Sequence, residues 1–466
     1  MRARLVLFVG LWLAGWPAVG RAGDWPQFRG PGGSGVAEGA RVPLEWGPDK
    51  NVLWKVKVPG VAWSSPIVWG DKVFVTTAVT ENQRRPQGDG FGGGKPPAGK
   101  PPGGFGPGNP KPPEAVYRWE VCCLDRESGK ILWKQLALES KPRIAIHPSN
   151  TYATETPATD GERVYASFGM HGLFCYDVSG KLLWKKDLGS YQTLLGWGTA
   201  SSPVLDGDRL FVLCDNEERS FLVALDTKTG DELWRVRRTE RTTWGTPYVW
   251  RNKLRTELVT LGPRVRSYDP ATGKQLWELN IGFGQCASTP VGDAELLYVG
   301  AGGRGFGGFG GPGGRPAGGR ESGRLYAVRA GAAGDVTPGD GESTSAGVAW
   351  SQPRAAPEMA SPLLYRGHLY VLSRNGGIVA CYNARTGQPV YRERLPGAGS
   401  FWASPWACDG KVFCLDDDGN TFILQAGPEF KLLGKNALKD MFWASPAVAG
   451  DTLLLRGVDY LYCIKP

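Results

Sequence analysis

Short apolar runs, roughly five residues long and bounded by polar turns, fill the chain from residue 51 to its end. One unit shows the order. After Ser202-Pro203 come an apolar pair, Val204-Leu205, and a turn, Asp206-Gly207-Asp208. A second run follows from Leu210 to Cys214. A third, Val223-Ala224-Leu225, ends in Asp226; then come Thr229-Gly230 and a fourth run carrying Trp234. The pattern predicts four short antiparallel strands.

The unit recurs. A Ser/Thr-Pro step opens it at prolines 66, 157, 203, 247, 290, 362, 405 and 446, with gaps of 91, 46, 44, 43, 72, 43 and 41 residues. The five short gaps match a propeller blade, and a unit this short cannot bury a core alone. The Asp can accept main-chain N–H bonds in its turn, and the Gly can adopt the positive φ that the turn requires. The Trp offers a broad surface to the neighbouring blade. Degenerate copies carry Asn383 and Tyr391 in place of Asp and Trp, or end their fourth run at Trp350 beyond a loop. The last unit stops at Leu461 to Lys465 with no fourth strand. Asn51 to Val56 can supply it, with Trp54 in the docking position, so that no sheet edge is left open. The expected fold is all-β: an eight-bladed β-propeller of four-stranded antiparallel blades, closed by an N-terminal strand.

Two long gaps hold Gly/Pro-rich inserts at 84–114 and 301–320, between the second and third strands of blades one and five. A further stretch, 331–346, reads as loop. None can bury a core, and all are expected to be mobile. The expected layout is a signal peptide at 1–22, an N-terminal extension at 23–50 and the propeller at 51–466. Arg2 and Arg4, the apolar Leu5 to Ala14 and a small-residue region ending at Ala22 carry the signal-peptide reading. A periplasmic or extracellular location follows, with no transmembrane segment in the mature chain.

Composition changes this picture little. Gly 68 and Trp 19 suit many tight turns and a recurrent aromatic position. The net charge of +9 lies partly in the inserts and forms no basic stripe, so no nucleic-acid partner is expected. Nine cysteines include no C-x-x-C, and three histidines show no metal spacing.

The units Cys123-Leu124-Asp125-x-x-Ser128-Gly129-Lys130-x-x-Trp133, Ala224-Leu225-Asp226-x-x-Thr229-Gly230-x-x-x-Trp234 and Tyr268-Asp269-x-x-Thr272-Gly273-x-x-x-Trp277 resemble the tryptophan-docking repeat of PQQ-like propellers. The resemblance covers about 51–466. It implies one of three roles: a quinoprotein alcohol dehydrogenase, the lipoprotein propeller of the outer-membrane β-barrel assembly machine, or a secreted propeller of unassigned role. Asp24 to Gly30 and Asp160 to Gly169 look most like the third. The dehydrogenases carry a catalytic Asp, Glu/Asn calcium ligands and adjacent cysteines above their cofactor. Here Cys122-Cys123 are adjacent, but Cys123 falls in the small-residue slot of the third strand, like Ala224, Cys175 and Cys381. PQQ and calcium remain a second reading, and no residue is assigned as catalytic or as a metal ligand.

Candidate ligand-binding residues come from position. Three residues before the Pro stand Trp63, Trp244, Met359, Trp402 and Trp443, which would ring the channel mouth. They can stack on a planar or sugar ligand, plug the channel, or pack between blades. The connector into blade two adds His147, Asn150, Tyr152 and Glu155. Asp215-Asn216-Glu217 and Asp416-Asp417-Asp418 read better as hairpin turns than as metal sites. Gly94-Lys95 and Gly303 to Gly308 read as low complexity. The expected function is a monomeric, non-enzymatic binding or scaffold propeller of the cell envelope, its partner an envelope protein or a small planar or sugar ligand.

Overall fold

The computed structural model describes residues 23–86, 110–282, 286–302 and 323–466. Eight antiparallel sheets stand around one axis. Blade 1 runs from Ile67 to Ser140, blade 2 from Ala158 to Lys186, blade 3 from Val204 to Arg237 and blade 4 from Tyr248 to Asn280. Blade 5 runs from Val291 to Gln352, blade 6 from Leu363 to Arg394 and blade 7 from Trp406 to Ala437. Blade 8 takes three strands from Ala447 to Ile464 and its outer strand, Val52–Val56, from the other end of the chain. The expected propeller and its closure are both present. The signal-peptide region and most of both inserts (87–109 and 303–320) lie outside the described residues, as do Gly94-Lys95 and Gly303 to Gly308.

The repeat residues act as their chemistry requires. The carboxylates of Asp125, Asp177, Asp226 and Asp269 each accept main-chain N–H bonds within their own turn. The glycine of that turn lies under the indole of the preceding blade: Gly129 under Trp54, Gly180 under Trp133, Gly230 under Trp184, Gly273 under Trp234 and Gly387 under Trp350. Each of these indoles also donates Nε1–H to a carbonyl of that turn, at 2.9–3.1 Å. Across the blade, the residue paired with the aromatic is small: Cys123 with Trp133, Cys175 with Trp184, Ala224 with Trp234, Cys381 with Tyr391 and Cys463 with Trp54. Four of the nine cysteines thus fill a packing slot. The strand register slips one or two residues before the aromatic in every blade that has one, and this bulge turns the ring toward its neighbour.

The stretch 331–346 departs from the expectation of mobile loop. Gly334–Asp335 pair in parallel with the outer strand of blade 4, making it five-stranded. Val336 is buried there and donates its N–H to the Glu278 carbonyl. Val336 and Ala332, buried in one cluster with blade 4, dock the stretch on the open edge.

Residues 23–50 are also more than an extension. Trp25 bridges to Val68 on the inner strand of blade 1, and the Pro26 carbonyl accepts from Thr159 of blade 2. The Gln27 side chain accepts from Leu205 of blade 3, and Gly33 packs on Tyr248 of blade 4. Arg29 donates to the Pro362 carbonyl of blade 6, and Gly35 and Ala37 bond Ala407 of blade 7. The segment therefore crosses the axis and closes one end of the channel.

Candidate functional site

What remains of the channel is a blind lumen of about 190 Å³. Its layers follow the repeat. The residues three before each Pro form the upper wall: Trp63, Thr154, Ala200, Trp244, Ala287, Met359, Trp402 and Trp443. The residues before the prolines form a ring of hydroxyls below it, of which all but Thr289 line the lumen. Phe28 of the crossing segment forms the floor, and His147, Ser149, Asn150 and Trp197 complete the wall.

The hydroxyl ring is a built feature. The amide of Ser65 donates to the Thr156 hydroxyl, that of Thr156 to Ser202 and that of Ser202 to Thr246, at 2.9–3.1 Å. Thr289 donates likewise to Ser361, Ser361 to Ser404 and Ser404 to Ser445, at 2.9–3.0 Å. Each link ties neighbouring blades at the axis. Among the described residues, the Ser65 and Thr289 hydroxyls receive no such bond, so the ring is interrupted at two places. The sequence marked these positions only as repeat openers. Their invariant hydroxyl chemistry was the signal for this second role.

Trp402 and Trp443 do not present their faces to the lumen. Trp443 is stacked between Trp402, centroids 3.8 Å apart at 9°, and Trp63, at 4.9 Å and 20°. The Arg374 guanidinium covers the other face of Trp402 at 4.7 Å. Trp443 and Trp402 can therefore reach the lumen only by their edges. The buried Nε1–H groups of both have no partner among the described residues. Across the lumen, His147 stacks on Trp197 at 4.5 Å, and Trp197 leans against Trp244 at 6.3 Å.

The structure brings Trp63, Trp244, Met359, Trp402, Trp443, His147 and Asn150 together around this lumen but leaves Glu155 out of its wall. Asn150 binds the Trp197 carbonyl through its amide and Thr154 through its oxygen, fixing the connector. His147 Nδ1 lies 2.6 Å from the Ser149 hydroxyl, and burial lowers its pKa. Tyr152 donates to the Ile144 carbonyl. Glu155 turns toward Gly169 and Thr199.

Burial raises the Glu155 pKa to about 7, partly offset by the Thr199 hydroxyl. Its folded pKa thus exceeds the unfolded value near 4.5. The folded state holds the proton more tightly, so stability falls as pH rises from about 4.5 to 7 and then levels off. The loss is on the order of 3 kcal/mol. Glu155→Gln should remove this slope from urea unfolding measured at pH 5 and pH 8. An unchanged slope would place the carboxyl in water.

The acidic clusters are structural. Asp215 takes two bonds from buried Arg238, at 2.8 and 3.1 Å, and one from Thr243. Asp416 accepts the amide of Asn420 in its own turn and that of Gly399 from the connector into blade 7. No group of His, Cys, Asp or Glu among the described residues could hold a metal ion. All nine cysteines are free thiols. No helix among the described residues is long and apolar enough to cross a membrane.

A family model described as outer membrane protein assembly factor BamB matches residues 118–281 and 218–359, together just over half of the chain. No curated protein matches. BamB from Moraxella catarrhalis superposes with a TM-score of 0.53 at 12% identity, covering 89% of this chain and 99% of that one. A europium-containing methanol dehydrogenase gives 0.57 at 11% identity, covering 94% and 91%. The quinohemoprotein alcohol dehydrogenase from Comamonas testosteroni gives 0.58 at 11%, covering 95% and 80%. At these identities the likeness is one of fold.

Proposed function

Because the chain belongs to the PQQ-like propeller family whose model is described as outer membrane protein assembly factor BamB, we propose that it is a non-enzymatic binding propeller of the cell envelope. Its ligand site is the blind lumen. The carrying observation is the lining itself: indole edges and hydroxyls around one blind cavity, with no Asp, Glu, Lys or Arg among them. Hydrogen-bond donors in an apolar frame give a site that holds and orients, and the titratable side chain in its wall, His147, has its pKa lowered by burial. The volume lies below the ~300–1,000 Å³ of pockets for drug-sized ligands and suits something of monosaccharide scale. A leader at 1–22 would deliver the protein across the inner membrane, and N-terminal sequencing of the secreted chain should begin at Gly23.

PQQ with calcium does not fit this lining. The cofactor is a fused-ring tricarboxylate, and calcium requires several oxygen ligands, usually carboxylates among them. The lumen wall contains no carboxylate, and Glu155 faces away. Titration of the purified protein with PQQ and Ca²⁺ is expected to give no saturable absorbance change and no dye reduction with alcohols. Tight binding with turnover would reverse the assignment.

Trp402→Ala and Trp443→Ala each remove an indole edge from the wall and open the pile. Either should weaken binding of a lumen ligand about tenfold while leaving the fold intact. A monosaccharide panel read by calorimetry supplies the ligand, and unchanged affinity in both variants would reject the lumen as the site.

A further inference from the structure

The hydroxyl ring is broken at two seams, and the two breaks differ in what they face. At the seam of blades 4 and 5, the Thr246 amide has no acceptor and the Thr289 hydroxyl has no partner among the described residues. Thr289 stands outside the lumen wall. At the seam of blades 8 and 1, the Ser445 amide has no acceptor and the Ser65 hydroxyl has no partner among the described residues. Both of these residues line the lumen, and both are buried, Ser65 at 1% exposure and Ser445 at 6%.

A buried main-chain N–H without an acceptor is rare, because an unmet donor costs about what a hydrogen bond is worth. In each of the six intact links, an equivalent amide donates to the hydroxyl of the next blade. The Ser445 amide and the Ser65 hydroxyl are the two halves of one such link, left unjoined. Two neighbours mark the same seam. Arg456 of blade 8 donates to the Ser64 carbonyl and hydroxyl, at 3.3 and 2.8 Å, so the strand entering blade 1 is held behind the hub. The pile of indoles is also loosest here. Trp443 and Trp63 lie 4.9 Å apart at 20°, against 3.8 Å and 9° for Trp443 and Trp402.

We propose that the seam of blades 8 and 1 is the polar subsite of the lumen, in which one hydroxyl of a neutral polyol accepts from the Ser445 amide and shares a hydrogen bond with the Ser65 hydroxyl. The inference deepens the binding role proposed above and rests on it for the size of the ligand. A hydroxyl group suits both partners. Its oxygen accepts from the N–H, and it can donate its hydrogen to Ser65 or accept from it. A carboxylate suits the seam less, because the lining holds no cation to offset its charge.

Glucose is the probe for calorimetry on the full chain. Ser65→Ala removes a hydroxyl that makes no bond in the fold, so the six links and the melting temperature should persist. Glucose affinity should fall about five- to tenfold. Thr289→Ala, the same kind of change at the opposite break, should leave it unchanged. Undiminished affinity in Ser65→Ala, or an equal loss in Thr289→Ala, overturns the subsite and leaves the binding role standing. Crystals of the wild-type chain soaked in glycerol give a reading that needs no variant. A glycerol hydroxyl within hydrogen-bond distance of both Ser445 N and Ser65 Oγ supports the subsite. An empty seam, or glycerol elsewhere in the lumen, overturns it. Should glucose fail to bind while glycerol occupies the seam, the subsite holds and the monosaccharide-sized binding role falls.

Discussion

A chain lacking residues 23–57 is expected not to reach the native ring. The deletion removes the outer strand of blade 8 and the segment that closes the channel. With them go Trp25, Trp46 and Trp54, all buried. Truncating one buried Trp costs about 3–5 kcal/mol, so three amount to roughly 10 kcal/mol, the size of a whole domain's stability. The loss also uncovers the inner strands of blades 1, 7 and 8, whose apolar residues share one core cluster with this segment. Circular dichroism melting and limited proteolysis would read the outcome. A truncated protein that melts with the parent would show that neither the closing strand nor the channel floor matters to the ring.

The second large effect belongs to the seam where the chain ends meet. Trp54 lies over Gly129 and donates to the Arg126 carbonyl at 2.9 Å, joining blade 8 to blade 1. Trp54→Ala should cost about 3–5 kcal/mol. Gly129→Ala acts on the same contact from the other side. Its φ is +70°, and a Cβ there would stand 2.6 Å from Trp54 Cδ2. Left-handed strain of about 1–2 kcal/mol and overpacking of about 1–3 kcal/mol add together. With Trp54 already cut to Ala, the closest overlaps disappear and Val56 Cγ2 at 2.9 Å remains, so the double variant should be less destabilised than the sum of the singles. Strict additivity in urea unfolding would mean that the two residues do not meet.

The fold was legible because one physical unit is written eight times. The Asp turn, its Gly and the docking Trp each leave a residue-type mark at fixed spacing, and the incomplete last unit points to Val52–Val56. The N-terminal segment left no such mark. Its bonds run largely through main-chain groups on strands up to several hundred residues away, and a single crossing has no period. Gly30 is an example: its φ of +71° and its approach to the Trp25 ring make sense only with that ring in place. At the lumen, spacing placed the residues three before each Pro at a common height. It could not tell that Trp63, Trp443 and Trp402 would cover one another's faces, because that depends on rotamers across three blades. Glu155 shows the same limit, since alternate side chains of a connector point opposite ways.

The interrupted hydroxyl ring has a mechanical meaning. Its two missing links fall between blades 4 and 5 and between blades 8 and 1, on opposite sides of the wheel. What is left is a pair of semicircular arcs, each four blades long and each stitched at the hub by three bonds. A diameter drawn through the two gaps is the line of least stiffness. Breathing of the disc should concentrate there as a flexing of one half against the other, widening or narrowing the cavity without parting any stitched pair.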